Sequence, residues 1–181
     1  MLKKWSILTD RNVLKTPIFS AHKIIAQSPL NPEKKGEFIY LDVPSWVNVI
    51  ALTPEQEVVF VRQYRHGTRS LTLEIPGGMC DSGESFVEAG ARELLEETGF
   101  KGDSVDLIGV VEPNPAFQNN KCGTILIRNA ERTQEQDLDP MEEIEILTIP
   151  LAQVDDLIRQ GEVSHSLVVA AFLHLKLLKE Q

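Results

Sequence analysis

Between Ser85 and Gly99 the chain spells out a helix with two unlike faces. Ser85 followed by Glu88 is a capping-box pattern, and Gly99 is a suitable stop, so a helix is expected over residues 86–98. On a wheel advancing about 100° per residue, Val87, Ala91, Leu94 and Leu95 gather on one side and Glu93, Glu96 and Glu97 on the other. The apolar side must be buried against a sheet. The acidic side needs another explanation, because like charges at i,i+3 and i,i+4 repel by roughly a few tenths of a kcal/mol per pair. A divalent cation converts that repulsion into coordination, since Mg2+ prefers carboxylate and phosphate oxygens. Arg92 is placed to hold one carboxylate through a bidentate pair. The plainer alternative is a solvated acidic face on an acidic protein.

Around this helix the sequence reads as short strands. Runs at 5–8, 18–25 and 38–43, punctuated by turn residues at 28–32 and 34–36, suggest a small antiparallel β appendage ending at Pro44. Strands follow at 46–52, 57–61 and 72–75, the last stopped by Pro76-Gly77-Gly78, and again near 106–111, 123–128 and 143–149. Two helices are expected at 151–160, ended by Gly161, and at 166–179. Strands lead and trail a central helix without βαβα repetition. The expected fold class is therefore α/β, an α/β/α sandwich around a mixed sheet, with the N-terminal antiparallel appendage added.

Composition narrows the function. The 181 residues are 42% hydrophobic and 25% charged, an ordinary globular balance. Eighteen basic against 27 acidic residues leave a net charge of −9, opposite in sign to a general nucleic-acid or membrane-surface binder. A chain this acidic that handles phosphate needs a local positive charge, and a divalent metal is the obvious source. The two cysteines, Cys80 and Cys122, form no CxxC motif, which excludes zinc ribbons and thioredoxin-like chemistry and suggests free thiols in a reducing compartment. Asp10, Arg11, Asn12 and Lys15 interrupt any apolar signal core, and no apolar run is long enough to span a membrane, so a cytoplasmic address is expected.

The helix also sits in a longer string. Gly78, five residues, Glu84, seven residues and then Arg92-Glu93-Leu94-Leu95-Glu96-Glu97-Thr98-Gly99-Phe100 match the Nudix box without a departure. On these residues the sequence resembles the Nudix hydrolases, and the surrounding pattern extends the likeness loosely over residues 46–179. The resemblance implies cleavage of a diphosphate linked to another moiety, using water and Mg2+, with Mn2+ as a possible substitute. It implies Glu93 and Glu97 as the main metal ligands, Glu96 close by, and the Gly77 carbonyl completing the site. Arg92 would orient a box carboxylate, and Glu84 would hold the loop or bind metal through water.

The flanks point to one branch. Val61-Arg62-Gln63-Tyr64-Arg65 leading into Leu73-Glu74-Ile75-Pro76-Gly77-Gly78 resembles the ADP-ribose pyrophosphatase and nucleoside-diphosphate-sugar hydrolase branch, as does the N-terminal appendage. That resemblance implies residues 1–44 as a dimerisation element, residues 45–181 as the catalytic domain, a homodimer, and a nucleotide-sugar substrate. It also implies a substrate loop around Pro115, where Phe117 and Asn119 join Arg65, Glu74 and Glu84 as expected substrate contacts. Read from the residues alone, Arg65 either grips substrate or pairs with Glu74, and the 112–120 stretch is either an amide-rich sugar-binding loop or a surface turn. The strings that mark the NADH-pyrophosphatase and coenzyme A branches are absent.

Attack by water on phosphorus needs a base within hydrogen-bond reach. The branch resemblance places it on a mobile loop before a late strand. Here that implies Glu142, with Glu143 as runner-up, a catalytic role shared with Glu93, Glu97 and Arg92, and a place for Glu142 beside the metal. Glu145 alternates within the strand and reads as exposed structure or an ion-pair partner. The polar stretch 131–143 reads as flexible. Arg69 and His66 are weaker substrate candidates. Trp5 and Trp46 read as packing residues, with adenine stacking across a dimer the alternative. His22, His165 and His174 lack metal or triad spacing. Two other activities are weighed: a house-cleaning nucleoside triphosphate pyrophosphatase, and a non-catalytic nucleotide-sugar sensor, which the intact box acids oppose.

Overall fold

The computed structural model describes residues 2–179 and resolves into two compact units. The first ends at Pro44 and also takes in Glu112–Lys121 from the middle of the chain; the second comprises Ser45–Val111 and the chain from Cys122 on.

The first unit is a three-stranded antiparallel sheet in sequence order: β1 (Ser6–Lys15), β2 (Ser20–Gln27) and β3 (Lys35–Asp42). β1 runs much further than the apolar run 5–8 suggests. It is exposed along its whole length, so Asp10, Arg11 and Asn12 sit in it while still reaching solvent. Asp10 also accepts hydrogen bonds from His22 Nδ1 at 2.7 Å and Tyr40 Oη at 3.0 Å, binding all three strands together. Trp5 packs edge-on against Phe38, a packing role within this unit.

Residues 112–121 are stitched to the end of β3. Leu41 N–H donates to the Phe117 carbonyl, Asn119 Nδ2 to Asp42, and Val43 N–H to Asn119 Oδ1. Asn120 Nδ2 donates to the Pro44 carbonyl. Two of the amides that recommended this loop for sugar hydroxyls, those of Asn119 and Asn120, are thus engaged by the unit's own chain.

The second unit is a mixed sheet between helices. Its strands are β4 (Trp46–Leu52), β5 (Glu57–Arg65), β6 (Ser70–Glu74), β8 (Ser104–Val111), β9 (Cys122–Arg128) and β11 (Ile144–Pro150). They are ordered β11-β5-β4-β9-β8, with β6 pairing the far half of β5 and β4–β9 the parallel pair. A separate ribbon pairs β7 (Phe100–Lys101) with β10 (Glu131–Arg132).

Strand alternation assigns the two faces. Val47, Val49, Ala51, Val59, Ile125 and Ile127 pack with Ala89 and Leu94 of α1 (Phe86–Thr98). Ile50, Leu52, Val58, Phe60 and Leu126 pack with Val154 of α2 (Val154–Gln160) and with Val168, Ala171, Phe172 and Leu175 of α3 (Ser166–Lys179). The expected α/β/α sandwich and the separate N-terminal antiparallel sheet are both observed. The expected helix at 151–160 begins instead as a 3-10 turn over Leu151–Gln153 and becomes α-helical only at Val154. No helix among the described residues is long and apolar enough to cross a membrane.

Candidate active site

The site grows from the two ends of α1 and the backbone laid beside it. Ser85 Oγ accepts from Glu88 N–H while Glu88 returns a bond to Ser85 N–H, so the capping box forms as expected. At the other end Gly99 takes a left-handed conformation with φ 72°, which a side chain would strain. The expected apolar face is buried only in part: Val87 and Ala91 are exposed, and α1 packs on the sheet through Ala89, Gly90, Leu94 and Thr98 with Glu97 buried among them, because Gly90 lets the helix approach Ile125 closely.

Residues 76–80 run along the free half of β4. Val49 N–H donates to the Pro76 carbonyl, Val47 N–H to the Gly78 carbonyl, and Cys80 N–H to the Ser45 carbonyl. This brings two glycines against crowded neighbours. A Cβ on Gly77 would lie 2.1 Å from the Val47 carbonyl oxygen, and one on Gly78 would lie 2.3 Å from Glu93 Oε1. The Pro-Gly-Gly run is therefore a requirement of close approach. It leaves Gly77 N–H donating to Glu97 Oε2 at 3.0 Å.

Arg92 organises the exposed half of the site. Its Nε and Nη2 grip Glu84 at 3.0 and 2.9 Å, and its Nη1 reaches Glu93 at 2.9 Å and Glu96 at 3.1 Å. Nη2 also donates to the Met79 carbonyl. Glu84 additionally accepts from Asp81 N–H, so it braces the loop between the glycines and α1. The Arg92 hydrogen bonds hold the Glu84 carboxyl below the usual carboxylate range.

The buried half carries the unusual electrostatics. Glu97 is only 4% exposed. Burial, reinforced by the charges of Glu93 and Glu142 and opposed by the Gly77 bond, pushes its carboxyl up to about 8. Burial also raises Glu93, with Arg92 opposing and Glu96 and Glu142 adding to the rise. Glu142 is forty-five positions beyond Glu97 in the chain, yet its charge acts on both box carboxylates. The Arg65 guanidinium is held in its charged form first by its hydrogen bonds to Glu74, and further by the charges of Glu97 and Glu142.

Arg65 also makes the pairing that the sequence left open. Its Nε and Nη2 meet the two oxygens of buried Glu74 at 2.9 and 2.8 Å, and Thr72 Oγ1 donates to Glu74 at 2.7 Å. Those bonds outweigh burial and hold Glu74 below the usual carboxylate range. Glu145 pairs with Arg62 at 3.0 Å, as its place in the strand suggested. His174 hydrogen-bonds Thr124 at 3.0 Å, a packing role.

The stretch 131–143 differs from its flexible reading. The last carbonyls of a helix lack intrahelical donors, and this segment supplies them. Thr133 and Gln134 N–H groups donate to the Gly99 carbonyl, Asp137 N–H to Glu96, and Gln136 Nε2 to Glu97 at 2.7 Å. Gln136 Nε2 also reaches the Ile144 carbonyl at 3.2 Å. The anchored part thus ends at Asp137. Glu142 follows in a turn where its own carboxylate accepts from Asp139 N–H.

Of the expected site residues, Arg65, Glu74, Gly77, Glu84, Arg92, Glu93, Glu96, Glu97 and Glu142 all lie in the second unit, whereas Pro115, Phe117 and Asn119 belong to the first. Thr72 and Gln136 were not anticipated. Thr72 had a usable signal, since it stands two residues from Glu74 and so on the same face of a strand. Gln136 had none.

Nudix hydrolases generally need a divalent metal. The donors here fit one: Glu93, Glu96 and Glu97 offer carboxylate oxygens and Gly77 a backbone carbonyl, the all-oxygen set that hard cations take. Glu97, buried beside two like charges, is short of positive charge. Among the described residues no three acidic, His or Cys side chains already converge as a cage. Arg92 instead draws Glu93 and Glu96 toward itself.

Comparison with known proteins agrees with this geometry. The chain is 27% identical over 177 residues to the ADP-ribose pyrophosphatase of Bacillus subtilis (strain 168), covering 94% of each. It is 24% identical over 183 residues to the ADP compounds hydrolase NudE of Escherichia coli (strain K12), covering 99% of this chain and 96% of that one. A crystal structure of an ADP compounds hydrolase superposes with a TM-score of 0.87 at 21% identity, over 99% of this chain and 96% of the other. The NUDIX domain profile matches residues 44–172. Box, fold and profile coincide on the same residues, and the chain belongs to the Nudix family.

Proposed function

We propose that this protein hydrolyses the diphosphate bond of nucleoside-diphosphate sugars, ADP-ribose foremost, to a nucleoside monophosphate and a sugar phosphate. The observation that carries this reading is the pair of box acids on α1, Glu93 bonded by Arg92 at 2.9 Å and Glu97 by Gly77 N–H at 3.0 Å, held against the Pro-Gly-Gly turn. The substrate class is supported by likeness that runs well beyond the Nudix profile, over 94% of the chain, to an ADP-ribose pyrophosphatase.

A bound divalent cation, Mg2+ with Mn2+ as substitute, supplies charge neutralisation at the diphosphate and acidifies an attacking water. Glu93, Glu97 and the Gly77 carbonyl would hold it, with Glu96 and Glu142 beside them. Arg92 keeps the box carboxylates in place. Glu142 accepts the proton of the attacking water. Arg65, held by Glu74, contributes a guanidinium to the phosphates.

We further assign the first unit to pairing with a second copy of this chain, since Ile7, Leu8, Val13 and Leu14 of β1 and Phe38 and Ile39 of β3 are exposed on it. The reading places the protein in the cytoplasm, where its free cysteines stay reduced. Sedimentation should give twice the chain mass.

Product analysis tests the reaction. With ADP-ribose and Mg2+, the wild type should release AMP and ribose 5-phosphate, and Glu97→Gln should release neither while keeping its fold. Wild-type rates in Glu97→Gln would remove Glu97 from the cation site.

A further inference from the structure

Gln136 holds one nitrogen between two backbone carbonyls, one in α1 and one at the start of β11, just beyond the loop carrying Glu142. Its Nε2 donates to the Glu97 carbonyl at 2.7 Å and to the Ile144 carbonyl at 3.2 Å. The first acceptor belongs to Glu97, whose buried carboxyl accepts from Gly77 N–H. The second opens β11, two residues after Glu142. Next to Gln136, Asp137 N–H closes onto the Glu96 carbonyl, so the chain entering the loop is pinned to the same helical turn. Both ends of residues 138–143 are therefore referred to the backbone of Glu96 and Glu97.

We propose that Gln136 is a positioning residue that sets where Glu142 arrives relative to Glu97. The inference rests on the reading of Glu142 as the proton acceptor. A primary amide suits the task because one neutral nitrogen offers two N–H donors to two carbonyls. A Glu side chain of the same length would present acceptors to acceptors, and Met would present no donor at all. Losing the clamp would leave the helix and β11 standing, since each has its own backbone ladder, but would free the loop between them. A general base misplaced by about 1 Å costs on the order of 10²-fold in rate.

The test is a double-mutant cycle on the full-length protein, with kcat and KM for ADP-ribose measured under saturating Mg2+. Gln136→Met should lower kcat by at least about tenfold with KM changed less than about twofold. Glu142→Gln should be slower still. In the Glu142→Gln background, Gln136→Met should cost no further kcat, because there is no base left to misplace. A merely structural role would instead give the same loss in both backgrounds, or raise KM along with it, and would overturn the proposal. A slow Glu142→Gln with an unaffected Gln136→Met also overturns it. A fast Glu142→Gln overturns the reading beneath it, a distinct result. Should Gln136→Met fail to fold, Gln136→Asn, which withdraws the amide by one methylene, is read by the same criteria.

Discussion

The backbone N–H of Gly77 donates to Glu97 Oε2 across 20 positions of sequence, at 3.0 Å. This bond joins the tight Pro-Gly-Gly turn to the most deeply buried acid of α1. Among the described residues it is the single hydrogen-bond donor on a carboxyl that burial and two like charges push up to about 8.

That value sets a pH dependence with a definite sign. Glu97 has a folded-state pKa above its ordinary value near 4.5, so the folded state binds the extra proton. Its contribution to stability is fully present below about 4.5 and is lost as pH rises through about 8. Metal-free protein should therefore melt at progressively lower temperature across this interval. Added Mg2+ should stabilise more strongly at the alkaline end, where the cation no longer competes with the proton. Melting curves with Mg2+ and with EDTA, taken at several pH values, check both trends. A flat metal-free profile would contradict them.

Glu97→Gln should behave oppositely in stability and activity. The amide oxygen still accepts the Gly77 N–H, and the side chain stays neutral at every pH. The variant should lose turnover and should melt above the metal-free wild type at pH 9. Equal melting temperatures there would show that Glu97 ionises without penalty.

Gly77 and Gly78 separate a structural requirement from a chemical one. The Cβ of Gly77→Ala meets a strand carbonyl that cannot move aside, so destabilisation of about 1–3 kcal/mol is expected. The Cβ of Gly78→Ala meets the carboxylate end of Glu93, which can swing away. That variant should keep most of its stability and lose activity through a displaced Glu93. Denaturation midpoints alongside rates distinguish the two. Equal effects on stability would contradict the separation.

Glu142→Gln should cut kcat by about 10²-fold or more, the usual scale for a general base. Glu143→Gln should be milder, because the proton-accepting role is assigned to Glu142 and none to Glu143. A reversed order in stopped-time assays would move the base by one residue.

What was legible in the sequence is what short-range rules govern. The capped helix and the strands β4 and β9 follow from local pattern, but the buried face of α1 does not: it turns toward Ala89, Gly90 and Glu97 and leaves Val87 and Ala91 exposed. The full extent of β1 was not legible, because its polar residues owe their place to full exposure and to partners on β2 and β3. The joining of residues 112–121 to the first unit rests on hydrogen bonds across more than seventy positions, for which local pattern holds no signal. Arg65 offered two readings because its pair with Glu74 runs diagonally between β5 and β6, where the register sets Arg65 opposite Ser70 and Glu74 opposite Val61. Residues 131–137 looked free because polar composition does not reveal that a helix end needs their donors.

The central claim is that this acidic cluster cleaves a nucleotide sugar. Side-by-side turnover of ADP-ribose and of nucleoside triphosphates, with Mg2+ and the same enzyme preparation, addresses it most directly. The account predicts a higher kcat/KM for ADP-ribose than for any triphosphate, with activity abolished by EDTA. Preference for a triphosphate, or no turnover of ADP-ribose by folded protein with Mg2+ present, would contradict it.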